Sequence, residues 1–412
     1  MSQQRNSTIN VSRARIITRK SLKIEILLET IPVPQSLGRV LARPVVASHN
    51  DPHTPKSAMD GYAVRARDIY SASHASPVIL HRTASIALGE EQKQYAGPET
   101  CVWVPTGGSI PPYYDSVVPV EQANEENSRV MFTSGINEGS NIDPVGHYHK
   151  RGEILVQSGA KLSSRDIAIL ASLGIREIEV TRKPGIGIVS TGNELIPSEA
   201  PRDPDRIYDS NGQAIASLFE ETGNFTTRYY GIIGDDEDKI SNVLNRMVAE
   251  NDLVVTTGGT SKGDKDLLPN VLSGLTPGIQ FQGMKVKPGK PTIFALSGKI
   301  PVIALPGPPV SSYLVMFDIF LPIILSKLGI KSFSLPVKAK LSEDARISRG
   351  KYNIVPVDLQ HSDEPRAKPL QGSSSAISRL SRANGYFTYV GDLELLGQGT
   401  EVMVKPFVTS VF

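Results

Sequence analysis

Along residues 184–328 the chain alternates between a hydrophobic pattern typical of buried strands and one typical of amphipathic helices. Short, continuous apolar runs predict strands at 186–190, 227–233, 253–256 and 302–305. Apolar residues at helical spacing predict helices over 211–222 and 236–251, and a long apolar helix that starts at Pro309. Strands that alternate with helices form parallel sheets, which bind ligands at the carboxyl ends of their strands. The pattern therefore predicts a three-layer α/β domain with a mostly parallel sheet.

The regions on either side of this domain have different patterns of apolar and turn residues, so the sequence predicts an α/β and β multidomain protein. The first part of the chain contains helical pieces and linkers, the next contains short β-type runs between turn residues, and the last is all β. The predicted boundaries are 1–49 with 138–180 for an elongated N-terminal helical and linker domain, 50–137 for a β-rich domain, 181–329 for the α/β domain and 330–412 for a barrel-like C-terminal β domain.

Two details of the N-terminal domain are specific enough to be tested. Pro32 and Pro34 are expected to break helical pieces that carry the apolar residues at 24 and 26–28. Further on, Ser164 is the expected cap of a helix that ends at Gly174.

Composition and charge narrow the class of protein. The chain has 412 residues, 39% hydrophobic and 21% charged, which is typical of a globular protein with two to four domains. The 44 basic and 42 acidic residues leave a net charge of +2, which argues against coating nucleic acid or an anionic membrane. Cys101 is the single cysteine, which excludes an intrachain disulfide. Without a signal peptide or an unbroken apolar run near 18 residues, we expect a cytoplasmic protein.

The third predicted strand runs into a loop that is suited to phosphate. Gly258 and Gly259 can expose backbone N–H groups, and the hydroxyls of Thr260 and Ser261 follow directly. Such a loop cradles phosphate oxygens. The string matches neither a P-loop nor a dinucleotide-binding fingerprint.

Acidic residues also follow the strands of this domain. Glu194 comes after the first strand, and Asp235 and Asp236 come after the second, where Asp236 is the expected helix cap. Asp266 stands where the helix after the glycine loop is expected to begin. We expect Glu194, Asp235 and Asp266 to converge, because the carboxyl ends of parallel strands meet at one edge.

Two further segments can meet an oxyanion. Lys287 and Lys290 flank a Pro-Gly pair, which holds their charges on a rigid turn. In the segment 305–311, Pro309 suits the first position of a helix, and Ser311 then lies in the first helical turn.

The string Ser57-Ala58-Met59-Asp60-Gly61-Tyr62-Ala63-Val64 places a carboxylate directly before a glycine. Alone it indicates a turn. Together with the segments above and in the same order, it resembles the signature of the molybdopterin molybdenumtransferase (MoeA) family, to which the E domain of gephyrin is similar. The resemblance extends from about residue 12 to residue 408.

The resemblance implies site residues position by position. Asp60 and Thr106 correspond to catalytic residues, and Glu194, Asp235 and Asp266 to catalytic acids that can hold Mg²⁺ through oxygen ligands. The positions that correspond to substrate-binding residues are Gly258, Gly259, Thr260, Ser261, Lys287, Lys290, Pro306, Pro309, Ser311 and Ser373.

The function implied by the resemblance is insertion of molybdate or tungstate into adenylylated molybdopterin, with release of AMP. It also implies a homodimer with a shared active site, and neither nucleic acid nor membrane as a partner. Two alternatives stay open: a molybdopterin adenylyltransferase, because the glycine loop also occurs in that enzyme, and a non-catalytic molybdopterin-binding scaffold. Molybdate and tungstate are tetrahedral oxyanions of nearly equal size and equal charge, so the sequence does not choose between them.

The chain departs from the family pattern at five positions. Asp143 and His147 replace an arginine and a glutamate, Gly283 replaces a lysine, and Pro308 replaces an asparagine. At Lys351 an arginine is common, so a bidentate clamp becomes a point charge.

Overall fold

The structure is a computed structural model that describes residues 8–89, 97–260, 267–330 and 335–407. The chain forms two compact units. The first consists of Met1–Ile31, Ser36–Val40 and Glu179–Phe412, and the second of Pro32–Gln35 and Leu41–Ile178. The four domain boundaries given above stay predictions.

The second unit is built around a six-stranded sheet with the strand order β7-β4-β6-β5-β9-β8. Its core contains Cys101, whose thiol is buried and whose pKa is raised by that burial to about 12. The elements from the start of the described chain through this unit are α1 (Val11–Ser21), β1 (Leu28–Pro32), β2 (Val45–Val46), β3 (Lys56–Ser57), β4 (Gly61–Val64), α2 (Ala66–Ile69), β5 (Val78–Ser85), β6 (Thr100–Val104), β7 (Ser116–Pro119), β8 (Ala123–Glu126), β9 (Arg129–Phe132), β10 (Ile142–Asp143), β11 (Ile154–Val156), α3 (Ser164–Ser172) and β12 (Glu177–Thr181).

Two predictions in the N-terminal region are wrong in detail. The helix α1 ends before residue 24, and the chain from Leu28 is a strand, because the apolar side chains there are not on one buried helical face: Ile26 and Leu27 are exposed. The cap of α3 is Ser163 and not Ser164. Ser163 donates through both its backbone N–H and its hydroxyl to Asp166 Oδ2, each at 2.7 Å, and these bonds belong to a capping box that fixes where the helix begins.

The α/β part of the first unit has the predicted sheet. The strand order is β16-β13-β17-β21-β20-β18. The first four strands run parallel, β20 runs antiparallel to β21, and β18 runs antiparallel to β20, so the sheet is mixed but mostly parallel. Its elements are β13 (Gly185–Thr191), β14 (Leu195–Ile196), β15 (Ile207–Tyr208), α4 (Asn211–Glu221), β16 (Thr226–Ile233), α5 (Glu237–Glu250), β17 (Leu253–Thr257), α6 (Leu267–Gly274), β18 (Pro277–Gln282), β19 (Val286–Lys287), β20 (Ile293–Ser297), β21 (Ile300–Leu305), α7 (Pro309–Val315), a π-helical segment (Met316–Phe320) and α8 (Leu321–Lys327).

Helices cover both faces of this sheet, which makes the three layers. Successive side chains of β17 point to opposite faces: Val254 packs in a cluster with residues of α5 and α6, and Val255 packs in another with residues of α4, α7 and α8. Both valines are fully buried. Strands buried on both faces explain the continuous apolar runs in the sequence.

One helical stretch, Pro309–Lys327, is long and apolar enough to cross a membrane by length and composition. However, 72% of it is buried inside the protein, where it contributes to the cluster that contains α4. Burial in this core accounts for its apolar composition.

The C-terminal part closes on itself as a barrel-like sheet. The order is β19-β24-β25-β22-β28-β26, and an additional pairing of β24 with β26 closes the five strands from β24 to β26 into a ring, to which β19 is added beside β24. This confirms the predicted barrel-like domain. Its elements are β22 (Val337–Leu341), β23 (Ala345–Arg346), β24 (Tyr352–Gln360), β25 (Arg366–Pro369), α9 (Ser378–Arg382), β26 (Gly385–Tyr389), β27 (Leu395–Leu396) and β28 (Glu401–Pro406).

Candidate active site

The carboxyl ends of the four parallel strands gather most of the predicted site residues of the first unit. Since β16, β13, β17 and β21 are neighbours in that order, the loops that follow them lie side by side along one edge of the sheet. The residues on these loops are Asp235, Glu194, Gly258, Gly259, Thr260 and Pro306, and the first turn of α7, which follows the loop after β21, carries Pro309 and Ser311. Ser261 and Asp266 lie outside the described residues.

The loops that carry Glu194 and Asp235 are tied together by hydrogen bonds. The N–H of Gly192 donates to the carbonyl of Ile233 at 3.0 Å, and the N–H of Asp235 donates to Asn193 Oδ1 at 3.1 Å. Both acidic side chains are exposed, and neither forms an ion pair with a residue that the structure describes. Two carboxylates without cationic partners are thus held on adjacent loops. The neighbouring Asp236 is the helix cap as predicted and accepts from the N–H of Lys239 at 3.0 Å.

The glycine loop packs so closely on β13 that side chains do not fit. A Cβ atom on Gly258 would lie 2.2 Å from the carbonyl oxygen of Thr191, and one on Gly259 would lie 2.8 Å from Thr191 Oγ1. Both glycines have positive φ, 88° and 59°. Thr260, which follows them, is buried. The tight turn leaves the backbone of the loop free of side-chain bulk, as a phosphate cradle requires.

Asp209 is a buried structural carboxylate. It accepts from the hydroxyls of Ser190 (2.7 Å) and Tyr229 (2.5 Å), and its other oxygen accepts from the N–H groups of Asn211 and Gly212 at 3.0 and 3.1 Å. Burial, followed by the bond to Asp209, raises the pKa of Tyr229. All four contacts lie within the protein, so Asp209 fixes the start of α4 against β13 and β16.

The start of α7 joins the α/β part to the C-terminal part. Pro309 occupies the first helical turn, as predicted, and the N–H of Val310 donates to the carbonyl of Ser374 at 3.0 Å. Ser311 is buried, with 3% of its surface exposed. Ser373, the predicted oxyanion contact, is exposed on the loop next to this junction.

Lys287 and Lys290 are both exposed, and neither ammonium group has a polar partner within the described ranges. Lys287 lies on β19, which pairs in parallel with β24 at Asn353. There it lines a cavity of about 540 Å³ together with Ser374, Arg346 and Arg379. The structure therefore brings Lys287 to the loop that carries Ser373, whereas Lys290 does not line this cavity. The two arginines were missed from the sequence, where each is an ordinary surface-type arginine without a motif.

Asp60 and Thr106 are in direct contact within the second unit. One oxygen of Asp60, Oδ1, accepts from both the N–H and the hydroxyl of Thr106, at 2.7 and 2.9 Å. These bonds lower the pKa of Asp60, which is fully exposed. Gly61 cannot carry a side chain, because a Cβ atom would lie 2.1 Å from the carbonyl oxygen of Val118. The SAMDGYAV turn thus presents an ionised carboxylate in a fixed orientation.

The structure gives a local reason for three departures from the family pattern. Asp143 and His147 lie on the same turn with 3.7 Å between Oδ1 and Nε2, so the two positions still carry opposite charges when the histidine is protonated. Gly283 has φ +83°, and a Cβ atom there would lie 3.0 Å from Thr8 Cγ2. Its backbone conformation therefore disfavours a lysine.

Comparisons with known proteins agree with this architecture. Three family models match in order: the MoeA N-terminal region (domains I and II) at 9–174, the probable molybdopterin binding domain at 187–326, and the MoeA C-terminal region (domain IV) at 338–407. The chain is 30% identical to the molybdopterin molybdenumtransferase of Bacillus subtilis, over 91% of this chain and 89% of that protein. It is 33% identical to the enzyme of the same name from Nostoc sp., over 71% of this chain and 67% of that one.

A solved structure shows the same fold over the whole length. The molybdopterin biosynthesis MoeA protein from Pyrococcus horikoshii superposes with a TM-score of 0.87 at 29% identity, covering 98% of this chain and 100% of that one. With matching sequence models from residue 9 to residue 407 and this likeness of fold, the chain belongs to the molybdopterin molybdenumtransferase family.

Proposed function

We propose that this protein inserts molybdate, or tungstate, into adenylylated molybdopterin and releases AMP. The observation that carries the proposal is the single sheet edge at which a side-chain-free glycine loop lies beside the exposed carboxylates of Glu194 and Asp235. A phosphate-binding loop next to carboxylates that form no ion pair with a described residue suits a reaction that breaks a phosphoanhydride. The pterin and the metal oxyanion are proposed as substrates because the chain belongs to this family.

The glycine loop grips the phosphates of the nucleotide in this proposal. Gly258 and Gly259 can approach an anion with their backbone N–H groups, because their positive φ and the contact with Thr191 leave no side chain in the way. Thr260 and Ser261 are the proposed hydroxyl donors. Pro306 and Pro309 shape the adjoining loop against which the substrate is held.

The donor set at this edge fits Mg²⁺. Glu194 and Asp235 offer exposed carboxylate oxygens on loops that are bonded to each other, and neither is neutralised by a described cation. Within the described residues, no group of three or more His, Cys, Asp or Glu is arranged to hold a metal. The third ligand in this proposal is Asp266, which corresponds to an acidic position of the family pattern and lies outside the described residues. When bound, Mg²⁺ would stabilise the negative charge that develops on the departing AMP.

The oxyanion approaches from the C-terminal part. Lys287 and Lys290 provide positive charge, and neither ammonium group has a competing partner in the part of the chain that the structure describes. Ser373 lies on the loop bonded next to α7. Ser311 is the fourth proposed contact, from within the first turn of α7. These groups attract a dianion and supply hydrogen-bond donors to its oxygens.

Asp60 and Thr106 act from a second copy of the chain in the proposed homodimer. An exposed carboxylate that its neighbour holds rigidly, with a lowered pKa, is suited to a site that another surface completes. We expect a mixture of Asp60→Ala and Asp235→Ala chains to recover part of the activity that both parents lack. Verified mixed dimers without activity would remove the shared site from the proposal.

Product analysis separates the proposed reaction from the adenylyltransferase alternative. Purified protein is incubated with adenylylated molybdopterin, Mg²⁺ and molybdate or tungstate, and AMP release and metal incorporation are followed. A parallel sample receives molybdopterin and ATP. We expect AMP and metallated cofactor in the first sample and no adenylylation in the second; the reverse result would identify an adenylyltransferase.

The scaffold alternative predicts that Glu194 and Asp235 are dispensable, whereas the proposed reaction requires them. A non-catalytic pterin carrier would bind adenylylated molybdopterin equally well after Glu194→Ala or Asp235→Ala, and the wild-type protein would release no AMP. We expect AMP release from the wild type and its loss in both variants, with circular dichroism used to confirm folding.

A further inference from the structure

The cavity of about 540 Å³ in the C-terminal part has a one-sided charge. Its lining includes three cationic side chains, those of Lys287, Arg346 and Arg379, and among the described residues that line it there is no carboxylate. Cationic groups that converge on a cavity without a counter-charge attract an anion. The three cations are not equivalent, however, because their hydrogen bonds differ.

Arg379 is committed to the protein backbone. Its Nε donates to the carbonyl of Leu370 at 2.7 Å, and its Nη1 donates to the carbonyls of Gly372 and Ser373 at 2.8 and 3.0 Å. Burial lowers its pKa. Since its Nε and Nη1 donate to these carbonyls and its Nη2 also donates to that of Leu370, Arg379 holds the loop that carries Ser373 and Ser374 in place and is a positioning residue.

Arg346 is exposed and makes no hydrogen bond or ion pair with any residue in the described ranges. The two acids that precede it in the chain, Glu343 and Asp344, are engaged elsewhere. Glu343 lies 3.0 Å from the ammonium of Lys368, and Asp344 accepts from the N–H of Gln398 at 2.7 Å. The planar fork of this guanidinium is therefore free to bind a ligand in the cavity.

We propose that Arg346 binds the incoming tetrahedral oxyanion together with Lys287, as a specificity-determining residue for the reaction. This inference rests on the proposed function. Position 351, where the family pattern has an arginine, holds a lysine here, and Lys351 does not line the cavity. Arg346, on β23, restores a permanently charged, bidentate donor.

The chemistry of the two cations is complementary. A guanidinium offers two parallel N–H donors to two oxygens of one anion, whereas an ammonium acts as a point charge. Ser348 and Ser374 also line this cavity. A tetrahedral dianion has four oxygens and can use both kinds of donor at once.

Binding of molybdate to the full-length protein tests the proposal without requiring turnover. Equilibrium dialysis at fixed ionic strength gives the Kd of molybdate, and then of tungstate, for the wild type, Arg346→Gln, Arg346→Lys and the control Arg349→Gln. Arg349 is a matched control because it is exposed, lies three residues away, pairs with Asp392 at 3.7 Å and does not line the cavity. The Kd of AMP is measured on the same proteins to distinguish an oxyanion site from a nucleotide phosphate site.

We expect Arg346→Gln to raise the Kd of molybdate about tenfold, because the variant loses one charge-assisted pair with the anion. Arg346→Lys should fall between that variant and the wild type, because it keeps the charge and loses the fork. Arg349→Gln and the Kd of AMP should not change. Equal weakening by both glutamine variants, weakening of AMP in place of molybdate, or a wild type without measurable molybdate binding would each overturn the assignment.

The same experiment separates this inference from the proposed function. Molybdate binding that depends on Arg346, in a protein that releases no AMP from adenylylated molybdopterin, would refute the reaction and leave the oxyanion site standing. An active enzyme whose KM for molybdate is unchanged by Arg346→Gln would refute the role of Arg346 alone.

Discussion

Arg15 and Asp318 are 303 residues apart in the chain, and the guanidinium of Arg15 donates to Asp318 Oδ2 at 2.7 Å. The carboxylate is 1% exposed and lies in the π-helical segment of the long apolar helix. Its other partners come from three strands of the C-terminal part, and they are the hydroxyls of Tyr352 and Tyr386 and the ammonium of Lys405. One buried acid thus connects α1, the long apolar helix and the barrel-like sheet.

Asp318→Asn should destabilise the protein by about 2 kcal/mol, because it removes a buried charge that accepts several charge-assisted hydrogen bonds, while its partners Arg15 and Lys405 stay partly solvated. The measurement is urea unfolding at neutral pH, followed by circular dichroism. Glu401→Gln is the control: its pair with Lys338 is exposed on both sides, so we expect a loss of at most about 1 kcal/mol. Equal losses in the two variants would show that the network contributes no more than a surface pair.

The contact between Asp60 and Thr106 predicts a measurable change in the pKa of Asp60. Thr106→Val removes the hydroxyl donor and keeps the backbone N–H, so the pKa should rise from its lowered value and remain below the ordinary value of 3.8. Thr106→Ser keeps both donors and should leave the pKa unchanged. Carboxyl chemical shifts in an NMR titration report it directly.

The direction of this pKa shift determines how the stability of the fold depends on pH. The folded-state pKa of Asp60 is below the unfolded one, so the carboxylate stabilises the fold at pH values above the unfolded pKa. This contribution is lost as the pH falls through the folded value. An unchanged titration in Thr106→Val would show that the backbone bond alone sets the pKa.

Gly258→Ala should close the glycine loop to phosphate. The added methyl would lie 2.2 Å from the carbonyl oxygen of Thr191, and φ is +88°. We expect a loss of about 1–3 kcal/mol in stability from the strained backbone, together with loss of AMP binding. Gly274→Ala, at the end of α6 with open space around it, should be neutral or stabilising by up to about 1 kcal/mol. Unchanged AMP affinity in Gly258→Ala would remove the loop from the phosphate site.

Local chemistry made much of the fold predictable from the sequence. The continuous apolar runs gave the strands of the α/β sheet because these strands are buried on both faces, as Val254 and Val255 show. Asp236 and Pro309 were assigned to helix starts, since capping and a fixed φ depend on neighbours in the chain. These features need no information about distant residues.

The features that the sequence did not predict depend on contacts between segments that are distant in the chain. The strand at Leu28–Pro32 was assigned to a helical region, although its burial alternates as in a strand. Arg346 has no local signal, because a single exposed arginine becomes a candidate only when a cavity brings it beside Lys287. Asp318 could have been noticed as a charge within an apolar helix, but its four partners were invisible in the sequence.

The carboxylates at the sheet edge predict where Mg²⁺ binds. Glu194→Gln and Asp235→Asn keep the size of each side chain and remove its charge, so each should raise the Kd of Mg²⁺ about tenfold, measured by isothermal titration calorimetry in the presence of AMP. Asp236→Asn is the matched control next to Asp235. Asn caps a helix as well as Asp does, and the Asp236 carboxylate already accepts from the N–H of Lys239.

The control makes the Mg²⁺ result specific to the proposed ligands. All three substitutions remove one negative charge from the same edge, so a general electrostatic effect would weaken Mg²⁺ binding equally in each. We expect Asp236→Asn to bind Mg²⁺ within about twofold of the wild type, because its side chain is occupied at the helix start. If instead Glu194→Gln and Asp235→Asn bound Mg²⁺ as the wild type does, the metal would have to be held elsewhere, and these acids would serve only to orient the substrate.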